Sequence, residues 1–151
     1  MEGLRRFLAF AGRSTRLEYW KVQLASSIGA GACVLVAMLL VPLVGQAGGV
    51  VMLGVVPLVV ASVATGVRRL HDRNRSGWWL LAYWLAPTLV SAWAETVPED
   101  SSVFLVAAAL SLAGLVITVW SLVELGFLRG VTGPNRYGAD PSQPTTAEVF
   151  S

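Results

Sequence analysis

Polar and apolar positions in this chain separate into long blocks. Three stretches contain no Asp, Glu, Lys or Arg: Val22 to Val67 (46 residues), Ser76 to Ala94 (19) and Ser101 to Val123 (23). A membrane-crossing helix needs about 20 apolar residues, so each of the last two predicts one helix and the first predicts two. The run Gly45-Gln46-Ala47-Gly48-Gly49 marks the reversal within the first stretch, because glycine supplies the backbone freedom of a tight turn. The expected helices are 22–44, 50–67, 78–94 and 103–123, in a single membrane domain over 1–141 with a polar tail at 142–151. The alternative is three spans with one of the first two helices re-entrant. Pro42 and Pro57 favour kinks there, but neighbouring helices in a membrane accommodate proline.

Composition agrees. Apolar residues make up 55% of the chain and charged residues 13%, about half the charged share of a soluble domain. A soluble fold so poor in charge would leave large apolar patches on its surface, and so apolar a chain is not disordered. The single cysteine, Cys33, removes any disulfide framework or cysteine-rich metal site. The first apolar run is too long for a cleavable signal, and Glu18, Tyr19 and Trp20 precede it, so it is expected to stay as an anchor.

Placement of the basic residues orients the spans. Arg5, Arg6, Arg13, Arg16 and Lys21 precede the first helix; Arg68, Arg69, Arg73 and Arg75 separate the second and third; Arg129 and Arg136 follow the fourth. Four spans put all 11 on one side, the cytoplasm by the positive-inside rule, together with both termini. Six carboxylates share that side (Glu2, Glu18, Asp72, Glu124, Asp140, Glu148), leaving +5, while Glu95, Glu99 and Asp100 leave −3 opposite.

Local signals fit this frame. Thr15-Arg16-Leu17-Glu18 reads as a capping box, and Ser76 can cap the third helix. Tyr19, Trp20, Trp78, Trp79 and Trp93 fall where an interfacial aromatic belt belongs. Leu4, Phe7, Leu8 and Ala11 have the spacing of a short interfacial helix, with a frayed end as the alternative. Small residues one turn apart, such as Ala25, Gly29 and Cys33, allow close helix packing within the bundle or in a homo-oligomer.

The polar residues gather in three motifs: Gly12-Arg13-Ser14-Thr15-Arg16-Leu17-Glu18-Tyr19-Trp20, then Arg68-Arg69-Leu70-His71-Asp72-Arg73-Asn74-Arg75-Ser76-Gly77-Trp78-Trp79, then Gly133-Pro134-Asn135-Arg136-Tyr137-Gly138-Ala139-Asp140-Pro141. In these motifs, in order and from about Phe7 to Pro141, the chain resembles the YhaH-like family of small bacterial inner-membrane proteins, a domain of unknown function (DUF 805). The resemblance implies a compact integral membrane domain of the bacterial cytoplasmic membrane and carries no reaction, ligand or partner. Asn74 stands where a smaller residue such as Gly is expected; asparagine tolerates the left-handed turn conformation, so the departure matters little.

One reading of the motifs is structural: Asp72 pairs with Arg16 or Arg136, Glu18 with Arg13 or Lys21, and Asp140 with an arginine, locking the helix ends together. Arginine outnumbers lysine ten to one, which suits bidentate pairing. The functional reading takes Arg13, Arg16, Arg68, Arg69, His71, Asp72, Arg75, Trp78, Asn135, Arg136, Tyr137 and Asp140 as a face for anionic lipid headgroups or a partner protein. The expected role is then a non-catalytic scaffold or accessory subunit. The alternative is an ion or solute conductor, with Glu124 the nearest intramembrane acid and an interfacial arginine able to neutralise it. Acid–base chemistry at His71 and Asp72 ranks third, because adjacent helical residues do not face each other. No catalytic signature such as GxSxG, HExxH or a P-loop occurs. No cofactor, metal or nucleic-acid partner is expected, since topology accounts for the basic residues.

Overall fold

A computed structural model describes residues 9–143. The interfacial helix expected around Leu4 to Ala11 and the tail from 144 fall largely or wholly outside them. Helices are Arg16–Val44 (α1), Val55–Asp72 (α2), Ala86–Ala94 (α3) and Phe104–Leu122 (α4). A ten-residue 3-10 segment, Gly45–Gly54, joins α1 to α2, a π turn at Leu81–Leu85 leads into α3, and another at Val123–Phe127 extends α4. Among the described residues there is no strand, only an isolated bridge between Asn135 and Gly138.

The fold is all-helical, and its apolar surface faces outward. Two continuous helical runs are long and apolar enough to cross a membrane: Arg16–Asp72, of 57 residues, and Phe104–Phe127, of 24. Only 6% and 17% of their most apolar windows are buried, the reverse of a soluble core helix. Ile28 is 73% exposed, Leu43 78% and Leu105 78%; water does not tolerate such a surface and lipid does.

The longer run doubles back on itself. A Cβ on Gly29 would meet Leu58 at 2.9 Å, one on Gly54 would meet Cys33 Sγ at 3.2 Å, and one on Gly48 would meet the Leu40 backbone at 2.8 Å. These contacts close progressively from one end to the other, as in an antiparallel hairpin. Reversal begins at Gly45, whose φ of +67° is open to glycine and strained for other residues, within the turn expected from sequence. The helix beyond it starts at Val55 rather than 50, because the intervening glycine-rich segment winds more tightly.

The second pair is α3 and α4, with Gly114 against Pro87, where a Cβ would sit 3.4 Å from Pro87 Cα. The π turn just before Pro87 has a local cause. Proline cannot donate to the carbonyl four residues back, and Ala86 N–H instead reaches Leu81. Buried apolar residues concentrate at one end: Tyr19, Leu70, Leu80, Tyr83 and Leu125, flanked by Trp20, Val63, Val67 and Trp84. That small core underlies the polar motifs.

Candidate functional site

α1 begins where the capping signal expects it, six residues before the apolar run. Thr15 Oγ1 accepts from Glu18 N–H at 3.2 Å. The Glu18 carboxylate accepts from Arg68 Nη1 at 2.8 Å, so it ties α1 to α2. At the far end of α2, Asn74 N–H reaches His71 O at 2.9 Å and Arg75 N–H reaches Leu70 O at 2.9 Å. This is a Schellman closure around Asn74, whose φ is +58°. Asn74→Gly is therefore expected to melt close to the parent protein in detergent, while Asn74→Val loses about 1–2 kcal/mol. Equal melting of the two variants would refute the turn assignment.

Two buried carboxylates organise the arginines. Asp72, 4% exposed, accepts through Oδ1 from Arg13 Nε at 2.9 Å, with Arg13 Nη2 in ion-pair contact at 2.8 Å, and through Oδ2 from Arg69 Nη1. Arg13 also donates to Val131 O at 2.5 Å and Gly133 O at 2.6 Å, which fastens the C-terminal segment to the end of α2. Glu124 is fully buried. It pairs with Arg73 Nε at 3.0 Å and Arg75 Nε at 3.1 Å, and accepts from the Tyr83 hydroxyl.

Surplus positive charge is balanced by carbonyl oxygens. The last carbonyls of a helix have no partner within it and carry the negative end of the dipole. Beyond α4 four successive ones find side-chain donors: Leu125 O accepts from Arg69 Nε at 2.9 Å, Gly126 O from Trp20 Nε1 at 3.1 Å, Phe127 O from Arg16 Nη1 at 3.1 Å, and Leu128 O from Arg69 Nη2. Arg69, 1% exposed, thus bonds one carboxylate and three carbonyls, the third being Ser14 O at 3.5 Å. A lysine could not reproduce that planar fork.

The third motif folds over the second. Asn135 Nδ2 donates to His71 O at 2.9 Å, and Asn135 Oδ1 accepts from Tyr137 N–H at 2.9 Å. The Tyr137 ring stacks on His71 with centroids 3.8 Å apart, and the Arg136 guanidinium lies 4.7 Å from the Tyr137 ring centroid while donating to Asn74 O. His71 Nδ1 is 3.2 Å from Gly12 O, so the first motif closes on the same ring. Asp140 accepts from Ser142 and from Gly133 N–H. These hydrogen bonds, from Ser142 first, lower its pKa to about 2.

All three motifs therefore meet, but several pairings differ from expectation. Asp72 takes Arg13 and Arg69 rather than Arg16 or Arg136, Glu18 takes Arg68 rather than Arg13 or Lys21, and Asp140 takes backbone and Ser142 rather than an arginine. The reason is geometry: Arg16 is committed to the end of α4 and Arg136 to the Asn74 turn. Asp72 turns to arginines and not to His71. Trp78 is 78% exposed, and Arg75 stacks on Trp79 at 5.1 Å. Sequence reasoning missed Tyr83 and the carbonyls at 125–128, which no motif signals; it allowed for an interfacial arginine beside Glu124, and the structure supplies two, Arg73 and Arg75.

The family model described as "Protein of unknown function (DUF805)" matches residues 7–139. The chain is 30% identical over 138 residues to the "Inner membrane protein YhaI" of Escherichia coli K12, covering 91% of this chain and 90% of that protein. The same match is found to the Escherichia coli O157:H7 protein of that name. No solved structure matches the chain.

Proposed function

The chain belongs to the DUF805 family, and on that premise we propose a non-catalytic scaffold or accessory subunit of the bacterial inner membrane. It crosses the membrane four times with both termini in the cytoplasm, and its arginine-rich end holds anionic phospholipid. One observation carries this reading: the arginines divide into two sets. Arg13, Arg68, Arg69, Arg73 and Arg75 are ion-paired with carboxylates. Arg16, Lys21, Arg129 and Arg136 are exposed and have no carboxylate partner among the described residues. The first set stabilises the fold; the second keeps a charge that no carboxylate cancels, with Arg16 and Arg136 each giving one N–H to a backbone carbonyl and their other donors left to meet phosphodiesters beside the exposed Trp78. Pairing of Glu124 with two arginines supports a non-conducting role, and the turn of Asp72 away from His71 supports a non-catalytic one.

The test is native mass spectrometry of the full chain released from nanodiscs holding phosphatidylglycerol and phosphatidylethanolamine. Each basic residue at such a surface contributes about 1 kcal/mol, so Arg16→Ala/Arg129→Ala/Arg136→Ala is expected to weaken phosphatidylglycerol retention about a hundredfold. Retention equal to that of the parent protein overturns the reading.

A further inference from the structure

Between the start of α1 and the segment that follows α4 lies a cavity of about 330 Å³. Arg16 and Leu17 line it from α1, and Arg129, Thr132 and Asp140 from the C-terminal segment. Leu17 stands five residues before the apolar run that begins at Val22, about 7.5 Å along the helix axis. A phospholipid head layer is about 5–8 Å thick, so the cavity lies at the depth of lipid heads. Its rim is partly apolar: Leu17 is 64% exposed, and Val131, also in the lining, 44%.

Charge in this cavity does not balance. Arg69 and Asp72 on its wall are already paired, and Asp72 is shared with Arg13. Arg16 gives one N–H to Phe127 O, and the Arg129 side chain bonds none of the described residues. Against these two cations stands one carboxylate. Asp140 Oδ1 accepts from Ser142 N–H and Ser142 Oγ, while Oδ2 accepts from Gly133 N–H alone. No cation pairs with Asp140 among the described residues, and Oδ2 keeps room for a second donor. The exposed Thr132 hydroxyl bonds no described residue.

On the preceding reading that this end of the molecule holds anionic phospholipid, on which the assignment depends, we infer that the cavity selects a phosphoglycerol head, the phosphodiester with free hydroxyls carried by phosphatidylglycerol. Arg16 and Arg129 take the phosphate oxygens. The glycerol hydroxyls donate to Asp140 Oδ2 and meet Thr132, and the acylated side leaves past Leu17. A zwitterionic head such as phosphoethanolamine would leave the positive lining uncompensated. A bare alkyl head would offer Asp140 nothing to accept.

The experiment is native mass spectrometry of the full chain from phosphatidylcholine nanodiscs holding equal parts of phosphatidylglycerol and phosphatidylethanol, which has the same phosphodiester and charge but no head hydroxyl. Both are expected to be retained above phosphatidylcholine, and phosphatidylglycerol at least about fivefold above phosphatidylethanol. Equal retention of the two anionic lipids overturns the selectivity and leaves the anionic-lipid reading standing; retention of neither above phosphatidylcholine overturns both. Asp140→Asn separates hydrogen bonding from charge. By charge alone, loss of a carboxylate strengthens both anionic lipids, and that outcome overturns the assignment. The expected result is phosphatidylglycerol falling to the level of phosphatidylethanol, which holds or rises. Where Asp140→Asn loses both lipids by opening the Ser142 turn, Thr132→Val decides, since that hydroxyl bonds nothing in the described fold. A loss of about threefold in phosphatidylglycerol alone supports the assignment, and no change overturns it. Deacylated glycerophosphoglycerol, added at the concentration of the lipid, is expected to displace none; displacement overturns the lipid as the source in favour of a soluble phosphodiester.

Discussion

Asp72→Asn is expected to destabilise the folded protein in detergent by about 3–5 kcal/mol, the cost of stranding buried charge. Asparagine keeps the shape of the side chain and one acceptor oxygen, so the loss is electrostatic. Arg13 and Arg69, with side chains only 1% exposed, would face each other across a neutral group. Neither can shed its proton, and neither can reach water without pulling away from the carbonyls it also bonds, Val131 and Gly133 for Arg13, Leu125 and Leu128 for Arg69. Removing one stranded cation should recover part of the loss, so Arg13→Gln in the Asp72→Asn background costs less than Arg13→Gln alone. Thermal unfolding of the four proteins in one detergent completes the cycle. A loss below about 1 kcal/mol, the size of a surface pair, would show that water reaches this carboxylate and that the clamp is not buried.

Much of this arrangement was legible in the chain, and the boundary of legibility has a physical basis. Charge-free stretches mark apolar helices because hydrocarbon excludes charge whatever the tertiary fold. Thr15 and Asn74 announce a helix start and a left-handed stop because both effects act over a few residues, and both occur where expected. Convergence of the three motifs followed from even reversals of direction. Partner choice was not legible. Arg13, Arg16, Arg69 and Arg136 carry the same charge and similar reach, and only their positions around the ends of α2 and α4 decide which of them meets Asp72. Nor could sequence show that the end of α4 is itself the acceptor for Arg16, Arg69 and Trp20, since carbonyl oxygens leave no trace in residue type. The 3-10 course of Gly45–Gly54 was hidden for another reason: glycine-rich apolar residues fit a loop, a kink or a tight helix equally well.

This division explains how so many arginines sit at one end of a small, apolar domain. Five carry ion pairs within the fold, and most of their other hydrogen bonds reach carbonyls of the α4 end and the segment after it. The carboxylates are therefore neutralised from α1 through α2 to the C-terminal segment without the outer basic residues, of which Arg16 and Arg136 each add one bond to a backbone carbonyl. Loss of an outer arginine should alter lipid retention and cost folding no more than one hydrogen bond to a carbonyl, about 1 kcal/mol, while loss of an inner one should cost several times as much.

Gly130→Ala tests the inner closure from a position outside all three motifs. A Cβ at residue 130 would intrude on the Asp72 carboxylate, 2.8 Å from Oδ1 and nearer still to Oδ2. An aspartate at a free surface would swing aside. Here Asp72 is held by Arg13 and Arg69, and its own carbonyl accepts from Val131 N–H at 2.9 Å, so the methyl group and the carboxylate compete for one site. Either the C-terminal segment lifts from α2 or the ion pairs open. The expected cost is at least about 3 kcal/mol, overpacking added to loss of a buried pair. Because the obstruction is the carboxylate itself, Gly130→Ala should cost far less in an Asp72→Ala background, where that volume is vacant. Unfolding of both single variants and the double variant in the same detergent measures the coupling. Equal costs of Gly130→Ala in the two backgrounds would mean that Gly130 is required for some reason other than its approach to Asp72.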